Sequence, residues 1–356
     1  MNEYKLPILP PNKELETKAV LKQLARANRS LAELKGYSET IPNKHILINA
    51  VMINEAKDSS AIENIITTHD DLYKAMSEAT GASAAAKEVV SYRTALWYGY
   101  ERVKEREILT TNMIEEIQGI IEQNRAGIRR LPGTVLRNDK TGELVYTPPE
   151  GEGEIRNLMS NLEKYINEDF DNVDPLVKLA VIHYQFESIH PFYDGNGRTG
   201  RIVNVLYLVL KDLLESPILY LSSYIIRNKT AYYKLLQEVR TDGNWEDWII
   251  YILIGIEETA QETLNLIKSI LSEVEKMSAE IKERLPKVYS KELIDLLFYE
   301  FYTKTVYIEK GLSVTRKTAV GYLSALENEG FLTSERIGKE RIYQNKRLYN
   351  LVKTDK

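Results

Sequence analysis

Cysteine is missing from this chain of 356 residues. Its absence excludes disulfides, thiol nucleophiles, cysteine-ligated zinc and iron–sulfur clusters. A protein without cysteine suits a reducing compartment, and we expect it in the cytoplasm.

Long apolar runs are absent as well. The longest strongly apolar stretch, Trp248 to Ile256, is far shorter than the roughly 20 residues that a membrane-spanning helix needs. The N-terminal segment MNEYKLPILPPNKELE lacks the basic start and apolar run of a signal peptide. We therefore predict no membrane partner. Apolar residues make up 43% of the chain and its net charge is −5, which is typical of a folded globular protein.

Alternation of apolar and polar residues, the pattern of strands, is rare along the chain. Helical spacing prevails, as at Leu179, Ile182 and Phe186, so the predicted fold class is mainly α. The length suits two or three domains, each with its own core.

Two short segments read as β-hairpins instead. The first spans residues 134–146, where turn residues from Asn138 to Gly142 separate two short apolar runs. The second spans residues 331–343 around Gly338.

The segment after Pro286 differs from the rest in charge and pattern. Residues 286–356 carry a net charge of +4, whereas residues 1–285 carry −9. The pattern predicts a helix at Leu293–Phe301, a short helix near Thr303–Glu309 and a third helix that ends before Gly330. Followed by the second hairpin, these helices resemble a winged helix-turn-helix.

A winged helix would place the helix Val314–Glu329 in the recognition position. Five basic residues could then lie near DNA phosphates: Arg316, Lys317, Arg336, Lys339 and Arg341. Winged helices also serve as protein-contact modules, and neighbouring glutamates dilute this basic charge. DNA and protein therefore both remain open as partners of this segment.

The most informative segment is residues 189–201, IHPFYDGNGRTGR. A predicted helix ends near His190, because Pro191 makes its continuation unfavourable. A Gly-Asn-Gly turn follows, and a new helix begins near Arg198. Such a turn at a helix N-terminus binds anions, because its N–H groups lack partners and the helix dipole is positive there.

The charged residues of this segment fit an anion site. Arg198 and Arg201 lie at the helix end where a cation is unfavourable by roughly 0.3–1 kcal/mol, so a bound polyanion would explain both. Asp194 beside a phosphate needs a bridging divalent cation such as Mg²⁺, and His190 is a potential base. Together they indicate nucleotidyl transfer, although the residues alone do not say which phosphorus is attacked. The alternative is an ordinary helix–loop–helix in which His190 caps a helix.

The segment resembles the signature of the Fic family, H-x-F-x-[DE]-G-N-G-R-x-x-R, at every fixed position. The resemblance extends from the N-terminal helices to about residue 260. It implies a Fic-type helical bundle with a β-hairpin flap, which the winged helix-turn-helix follows. The implied regions are 1–100 with an inhibitory motif, 101–270 as the catalytic core, and 286–356 as the winged helix.

The resemblance also implies protein adenylylation. ATP and Mg²⁺ or Mn²⁺ bind at the turn, and a Ser, Thr or Tyr hydroxyl of a target protein attacks the α-phosphate. AMP is transferred and pyrophosphate leaves. His190 takes the hydroxyl proton, Asp194 holds the metal ion, and Phe192 anchors the loop in the core. The nucleotide-binding residues that follow are Gly195, Asn196, Gly197, Arg198, Thr199, Gly200 and Arg201.

Two further features resemble parts of the family's binding site. The hairpin at 134–146 resembles the flap, which pairs through its backbone with an extended target segment; an ordinary surface hairpin is the alternative. Tyr232, Tyr233 and Arg240 resemble residues on the adenine side, where aromatic faces suit a base.

The segment Ser59-Ser60-Ala61-Ile62-Glu63-Asn64 resembles the family's inhibitory motif, [ST]-x-x-x-E-[GN]. The family account pairs this glutamate with the second arginine of the signature, here Arg201, and thereby blocks productive ATP binding. Ser60 and Glu63 also match a capping box that opens a helix. The two interpretations are compatible, because the first turn of a helix could present Glu63 to an arginine.

The sequence also leaves three alternative functions open. Fic relatives of the Doc type transfer phosphate and carry lysine where Gly197 stands, so Gly197 favours adenylylation. Glutamate-dependent removal of AMP from targets is a second alternative, and a winged-helix DNA-binding regulator is a third. A homodimer remains open as the oligomeric state.

Overall fold

The computed structural model describes residues 5–39, 41, 44–76, 82–137, 142–169, 171–299, 301–337 and 340–353. Most of these residues lie in helices. The first helices are α1 (Lys18–Glu39), α2 (Lys44–Ile62), α3 (His69–Met76), α4 (Ala84–Arg106) and α5 (Thr111–Glu122). Next come α6 (Glu152–Asn167), α7 (Pro175–Ile189), α8 (Asn196–Leu210), α9 (Leu221–Arg227), α10 (Lys229–Asp242) and α11 (Trp245–Arg284). The last are α12 (Lys291–Tyr299), α13 (Thr305–Gly311), α14 (Arg316–Asn328) and α15 (Lys346–Val352). The mainly α prediction is confirmed.

A small hairpin joins α5 to α6. Strand β1 (Leu136–Arg137) pairs antiparallel with β2 (Leu144–Tyr146), with Leu136 opposite Tyr146. The predicted turn residues Asn138, Asp139, Lys140 and Thr141 lie outside the described residues. Of the predicted turn, Gly142 is described, and it has a φ of +71° that favours glycine.

A three-stranded sheet lies in the C-terminal segment. Strands β3 (Tyr302–Lys304), β4 (Thr333–Ile337) and β5 (Glu340–Gln344) follow the order β3-β5-β4, and both pairings are antiparallel. Helices α12, α13 and α14 with this sheet match the predicted three helices and hairpin. Gly338, around which the hairpin was predicted, and Lys339, which was predicted near DNA phosphates, lie outside the described residues.

Helices α7 and α8 form the centre of the larger helical part. All residues from Leu176 to Phe186 in α7 are buried, as are those from Ile202 to Val209 in α8. A helix that is apolar on all sides needs neighbours on all sides, and α4, α5, α6 and α11 pack around this pair. The loop between α7 and α8, which carries the signature segment, is therefore held on two rigid and buried helices.

Helix α2 lies between this bundle and the C-terminal segment. On the bundle side it packs against α4 and α9, and on the other side against α12. The Asn49 side-chain amide donates to the Tyr299 carbonyl at 3.1 Å, and the Asn54 amide donates to the Val352 carbonyl at 3.3 Å. Helix α2, whose last turn belongs to the segment that resembles the inhibitory motif, is thus buried on both sides.

Two predicted boundaries need correction, and one helix was missed. Helix α8 begins at Asn196 rather than near Arg198, because Gly195 adopts the left-handed conformation and forms the turn alone. Residues Tyr302–Lys304 form strand β3 where the sequence predicted the start of a short helix, since pairing with β5 supplies distant partners. Helix α15 was not predicted.

No helix among the described residues combines the length and the apolar character needed to cross a bilayer.

Candidate active site

The loop after α7 is fixed by backbone conformation and one side chain. His190 takes the left-handed conformation, with a φ of +50°, and its N–H donates to the Phe186 carbonyl at 3.0 Å, which ends the helix. Asn196 accepts from the Phe192 N–H and donates to the Phe192 carbonyl, both at 2.8 Å. Phe192 itself is fully buried. The loop that joins His190 to α8 therefore has one well-defined shape.

The turn places the N-terminus of α8 at the wall of a cavity. Gly195 precedes the helix with a φ of +76°, and among the described residues no side chain caps this N-terminus. The uncapped N–H groups and the positive end of the helix dipole make an anion site. The phosphate-binding turn stays a prediction, and this end of α8 has the backbone geometry that it requires.

His190 lies at the same cavity as the turn. Burial first, and then the positive charge of Arg129, lower the pKa of its imidazole to about 4. The ring is therefore neutral at pH 7, the form in which a histidine accepts a proton.

The cavity beside the turn has a volume of about 770 Å³. Seven of the residues predicted for the site line it: Glu63, His190, Asp194, Gly195, Asn196, Gly197 and Arg198. Leu136 of the hairpin lines it too, so the hairpin and the turn border one space. Asp194 is exposed there, and one of its carboxylate oxygens accepts from the Gly195 N–H at 2.7 Å.

Arg198 is held by two carboxylates that sequence reasoning missed. Its Nη2 lies 2.6 Å from Glu122 Oε1, and its Nη1 lies 3.2 Å from Glu88 Oε2. Glu122 is the last residue of α5 and Glu88 lies in the second turn of α4. Burial raises the pKa of the Glu122 carboxyl, and the charge of Arg198 opposes that rise. No local motif marked either glutamate, because both contacts join distant parts of the chain.

Arg201 is buried behind the turn and bonded to the segment that resembles the inhibitory motif. Its Nη2 donates to Glu63 Oε1 at 2.9 Å and to the Ser59 carbonyl at 2.8 Å, and its Nε donates to Ser59 Oγ at 2.8 Å. Burial works against the charge, but acidic neighbours, Glu63 first among them, raise the pKa of Arg201 above its usual value. Glu63 and Arg201, which the resemblance to the inhibitory motif predicts as a pair, are therefore in contact.

Glu63 also lies directly over the turn. A side chain at Gly197 would overlap the Glu63 carboxylate. Glycine at this position therefore leaves the space that Glu63 occupies. A lysine in its place, as in the Doc-type pattern, would displace that carboxylate.

The capping-box prediction is wrong. Glu63 follows the C-terminus of α2, which ends at Ile62, and does not open a helix. The Ile65 N–H donates to the Ser60 carbonyl and the Asn64 N–H to the Ala61 carbonyl, both at 3.0 Å, which is a Schellman ending. Asn64 occupies its left-handed position with a φ of +64°.

This ending predicts the response to changes at Asn64. Asn64→Val should lower the free energy of unfolding by about 1–2 kcal/mol, because a β-branched residue disfavours the left-handed conformation. Asn64→Gly should leave it near the wild-type value, because glycine accepts that conformation. Chemical denaturation of both variants measures the difference, and equal loss in the two would contradict the assignment.

The remaining predicted residues lie away from this cavity. Tyr232 is buried, and its hydroxyl lies 2.8 Å from His183 Nε2, whereas Tyr233 is exposed. The guanidinium of Arg240 stacks 4.0 Å from the centre of the Tyr146 ring, at the base of the hairpin.

Two residues of the signature segment face the interior. Thr199 is fully buried. Gly200 lies so close to α7 that a side chain would overlap Glu187 and Phe186. Burial also raises the pKa of Glu187 to about 7. The close approach at Gly200 thus contributes to the packing of α7 on α8.

Comparison with known sequences covers most of the chain. The model of the Fic/DOC family matches residues 108–208, and the model of the Fic/DOC family N-terminal region matches residues 21–101. A third model, the C-terminal domain of SoFic-like protein adenylyltransferases, matches residues 274–348. The chain belongs to the Fic/DOC family. The resemblance seen in the signature segment is thereby confirmed.

Curated Fic relatives are similar over about half of this chain. The protein adenylyltransferase Fic of Drosophila willistoni is 25% identical over 193 residues, which are 52% of this chain and 37% of that protein. The protein of the same name from Drosophila yakuba is 28% identical over 195 residues, 52% of this chain and 38% of that protein. The chain thus spans little more than a third of the length of these relatives.

Solved Fic structures share the fold. A Fic family protein from Desulfovibrio desulfuricans G20 superposes with a TM-score of 0.60 at 19% identity, over 94% of this chain and 98% of that one. Fic-1 from C. elegans gives a TM-score of 0.55 at 20% identity, over 70% and 74% of the two chains. The predicted Fic-type helical bundle is therefore confirmed.

Proposed function

We propose that this protein is a protein adenylyltransferase that transfers AMP from ATP to a Ser, Thr or Tyr hydroxyl of a target protein. One observation carries the proposal: His190, neutral at pH 7, and the uncapped N-terminus of α8 border one cavity. The membership of the Fic/DOC family and the similarity to proteins named adenylyltransferases support the same reaction.

The proposed step uses the two sides of the cavity differently. The N-terminus of α8 binds the phosphates, and Arg198 and Arg201 supply positive charge. A ring nitrogen of His190 takes the proton from the target hydroxyl as its oxygen bonds to the α-phosphorus. The bond from that phosphorus to the bridging oxygen then breaks, and pyrophosphate leaves. Tyr232, Tyr233 and Arg240 remain proposals for the adenine side.

Asp194 fits a divalent ion that arrives with the nucleotide. Among the described residues no cluster of three or more ligating side chains could hold an ion alone. A single exposed carboxylate suits Mg²⁺ or Mn²⁺, because such ions take their other ligands from phosphates and water. The bound ion would neutralise phosphate charge, and Asp194 would hold it at the start of the turn.

The metal proposal gives a test. In the Glu63→Gly background, Asp194→Ala should lower AMP transfer by about 10²–10³-fold, the size typical of losing one electrostatic contact at a reacting centre. Transfer in the parent should also stop in excess chelator and return with added Mg²⁺ or Mn²⁺. Labelled ATP and gel autoradiography measure both effects. Undiminished transfer in chelator would refute a metal requirement.

We also propose that Glu63 inhibits the enzyme. The ion pair with Arg201 and the position of the carboxylate over Gly197 support this role, because both occupy groups that the phosphates would use. The hairpin at 134–146 is proposed to hold the target segment through its backbone. The division into regions 1–100, 101–270 and 286–356 is proposed likewise.

Mass spectrometry separates the proposed reaction from its alternatives. The Glu63→Gly protein, incubated with ATP and Mn²⁺, should gain the mass of AMP, which far exceeds that of phosphate. Addition of phosphate alone would favour the Doc-type reaction instead. Loss of AMP from a modified target with the wild-type protein would favour removal of AMP. DNA binding through the C-terminal segment has weaker support, because Arg341 is paired with Glu327 at 2.9 Å.

A further inference from the structure

The C-terminus of α7, which carries His190, is capped by residues from around the hairpin. The last carbonyls of any helix lack partners inside it. Here the Tyr146 hydroxyl donates to the Ser188 carbonyl at 3.0 Å. Arg129 Nε donates to the His190 carbonyl at 2.8 Å, and Nη2 donates to the Ile189 carbonyl at 3.4 Å.

The same guanidinium also holds the far end of the hairpin. Arg129 Nη2 donates to the carbonyl of Pro149, three residues after β2 ends. The backbone N–H of Arg129 donates to the Pro191 carbonyl at 2.9 Å. Arg129 is 0% exposed. A buried cation needs such partners, and the negative end of the α7 dipole favours a positive charge at this place.

A second arginine reinforces the junction. Arg240 stacks on the Tyr146 ring, and its Nη2 donates to Ser188 Oγ at 3.2 Å. The base of the hairpin is therefore joined to the last turn of α7 by Arg129 from one direction and by Tyr146 with Arg240 from another. Arg129 and Tyr146 are buried and bond to carbonyls at the end of a helix, so this junction leaves little room for relative motion.

We propose that Arg129 is a positioning residue that sets the distance between His190 and the hairpin that holds the target. This proposal rests on the proposed transfer reaction and names a residue for it. A target hydroxyl aligned on the hairpin meets the His190 ring only if the hairpin and the loop keep one relative position. Arg129 binds both the loop and the hairpin through their carbonyl groups. Its hydrogen bonds go neither to the Gly195 turn nor to the N-terminus of α8, where the phosphates are expected.

Arg129 also acts on the charge state of His190. The charged groups that influence the imidazole are Arg129 and Arg240, which lower its pKa, and Glu63, which raises it; a hydrogen bond to the Glu187 backbone raises it too. Of these charged groups, Arg129 has the largest effect on the pKa of His190, and its loss removes that effect. The pKa of His190 should then move from about 4 towards its ordinary value.

The test compares Arg129→Met with Arg130→Met in the Glu63→Gly background. The neighbouring Arg130 is a matched control, because its side chain is 70% exposed and pairs with Glu152 at the surface. Arg129→Met should lower kcat by about 10²-fold, the effect typical of a 1 Å misplacement of a reacting group. The KM for ATP should stay within about 2-fold of its parent value, and Arg130→Met should match the parent in both constants.

A second readout does not depend on transfer. The chain has four histidines, so NMR titration can follow His190 directly in full-length protein. The pKa of His190 should rise in Arg129→Met and stay unchanged in Arg130→Met. If the parent transfers no AMP, the proposed function fails, and this titration still tests the contact between Arg129 and His190.

The conservative variant completes the design. Arg129→Lys keeps the positive charge but loses the forked geometry, so it should keep the pKa of His190 low while kcat falls. It also serves where Arg129→Met does not fold. The proposal would be overturned if Arg129→Met folds and keeps both the parental kcat and the parental pKa of His190. If Arg129→Met does not fold, a parental kcat in Arg129→Lys would overturn it.

Discussion

Replacement of Glu63 by glycine should raise auto-adenylylation by about 5- to 150-fold. Glu63 holds Arg201 through a 2.9 Å ion pair, and a coupling of roughly 1–3 kcal/mol between two sites corresponds to this range. Without the carboxylate, Arg201 can turn to the phosphates, and the space over Gly197 becomes free. Incorporation of label from ATP into the protein itself measures the gain.

The gain should require the released arginine. Glu63→Gly combined with Arg201→Ala should show no activation, because the freed group is then missing. Glu107→Gly is a matched control, since Glu107 also ends a helix, is exposed and lies outside the cavity. Equal or lower labelling of Glu63→Gly than of wild type, at matched folded concentration, would leave Glu63 with a purely structural role.

Removal of the His190 side chain should lower AMP transfer by about 10²–10⁴-fold, the range for loss of a general base. In the Glu63→Gly background, ATP affinity should hardly change, because the phosphates are expected on the N-terminus of α8 and not on the imidazole. Calorimetric titration with ATP and a transfer assay separate the two effects. His45→Ala, at an exposed position near the start of α2, should behave like the parent.

The pH profile provides an independent check on the same residue. A base works in its neutral form, so kcat/KM should fall as pH drops through the pKa of His190, which is about 4. The limb assigned to His190 should therefore lie well below the ordinary histidine value of about 6.5. An acid limb near 6.5 that disappears in His190→Ala would show that the ring is charged more readily than its burial implies.

The signature segment was predictable because its signals are local. Pro191 predicts the end of one helix, Gly195 supplies the left-handed turn, and the apolar spacing from Ile202 onward indicates the next helix. The loop and the turn follow from residues within one short stretch, whereas the helix begins at Asn196, before the predicted start near Arg198. The sequence therefore sufficed to bring His190, Asp194 and the turn together.

Contacts between distant segments were beyond the sequence pattern. The pairs Arg198–Glu122 and Arg198–Glu88 join residues 76 and 110 positions apart, and nothing in the order of residues marks them. The bonds of Arg129 to the end of α7 are of the same kind. The pattern of Ser60 and Glu63 predicted the start of a helix, and this prediction was wrong. The left-handed backbone of Asn64 ends a helix there instead.

The position of α2 between the bundle and the C-terminal segment has a practical consequence for dissection of the protein. Asn54 is 2% exposed and donates to Val352, and Asn49 donates to Tyr299. A chain cut at Pro286 would therefore expose an apolar helix face and leave two amides without their carbonyl partners. Truncation would change the helix that directly precedes Glu63, so transfer assays on a truncated chain would not report on the intact one.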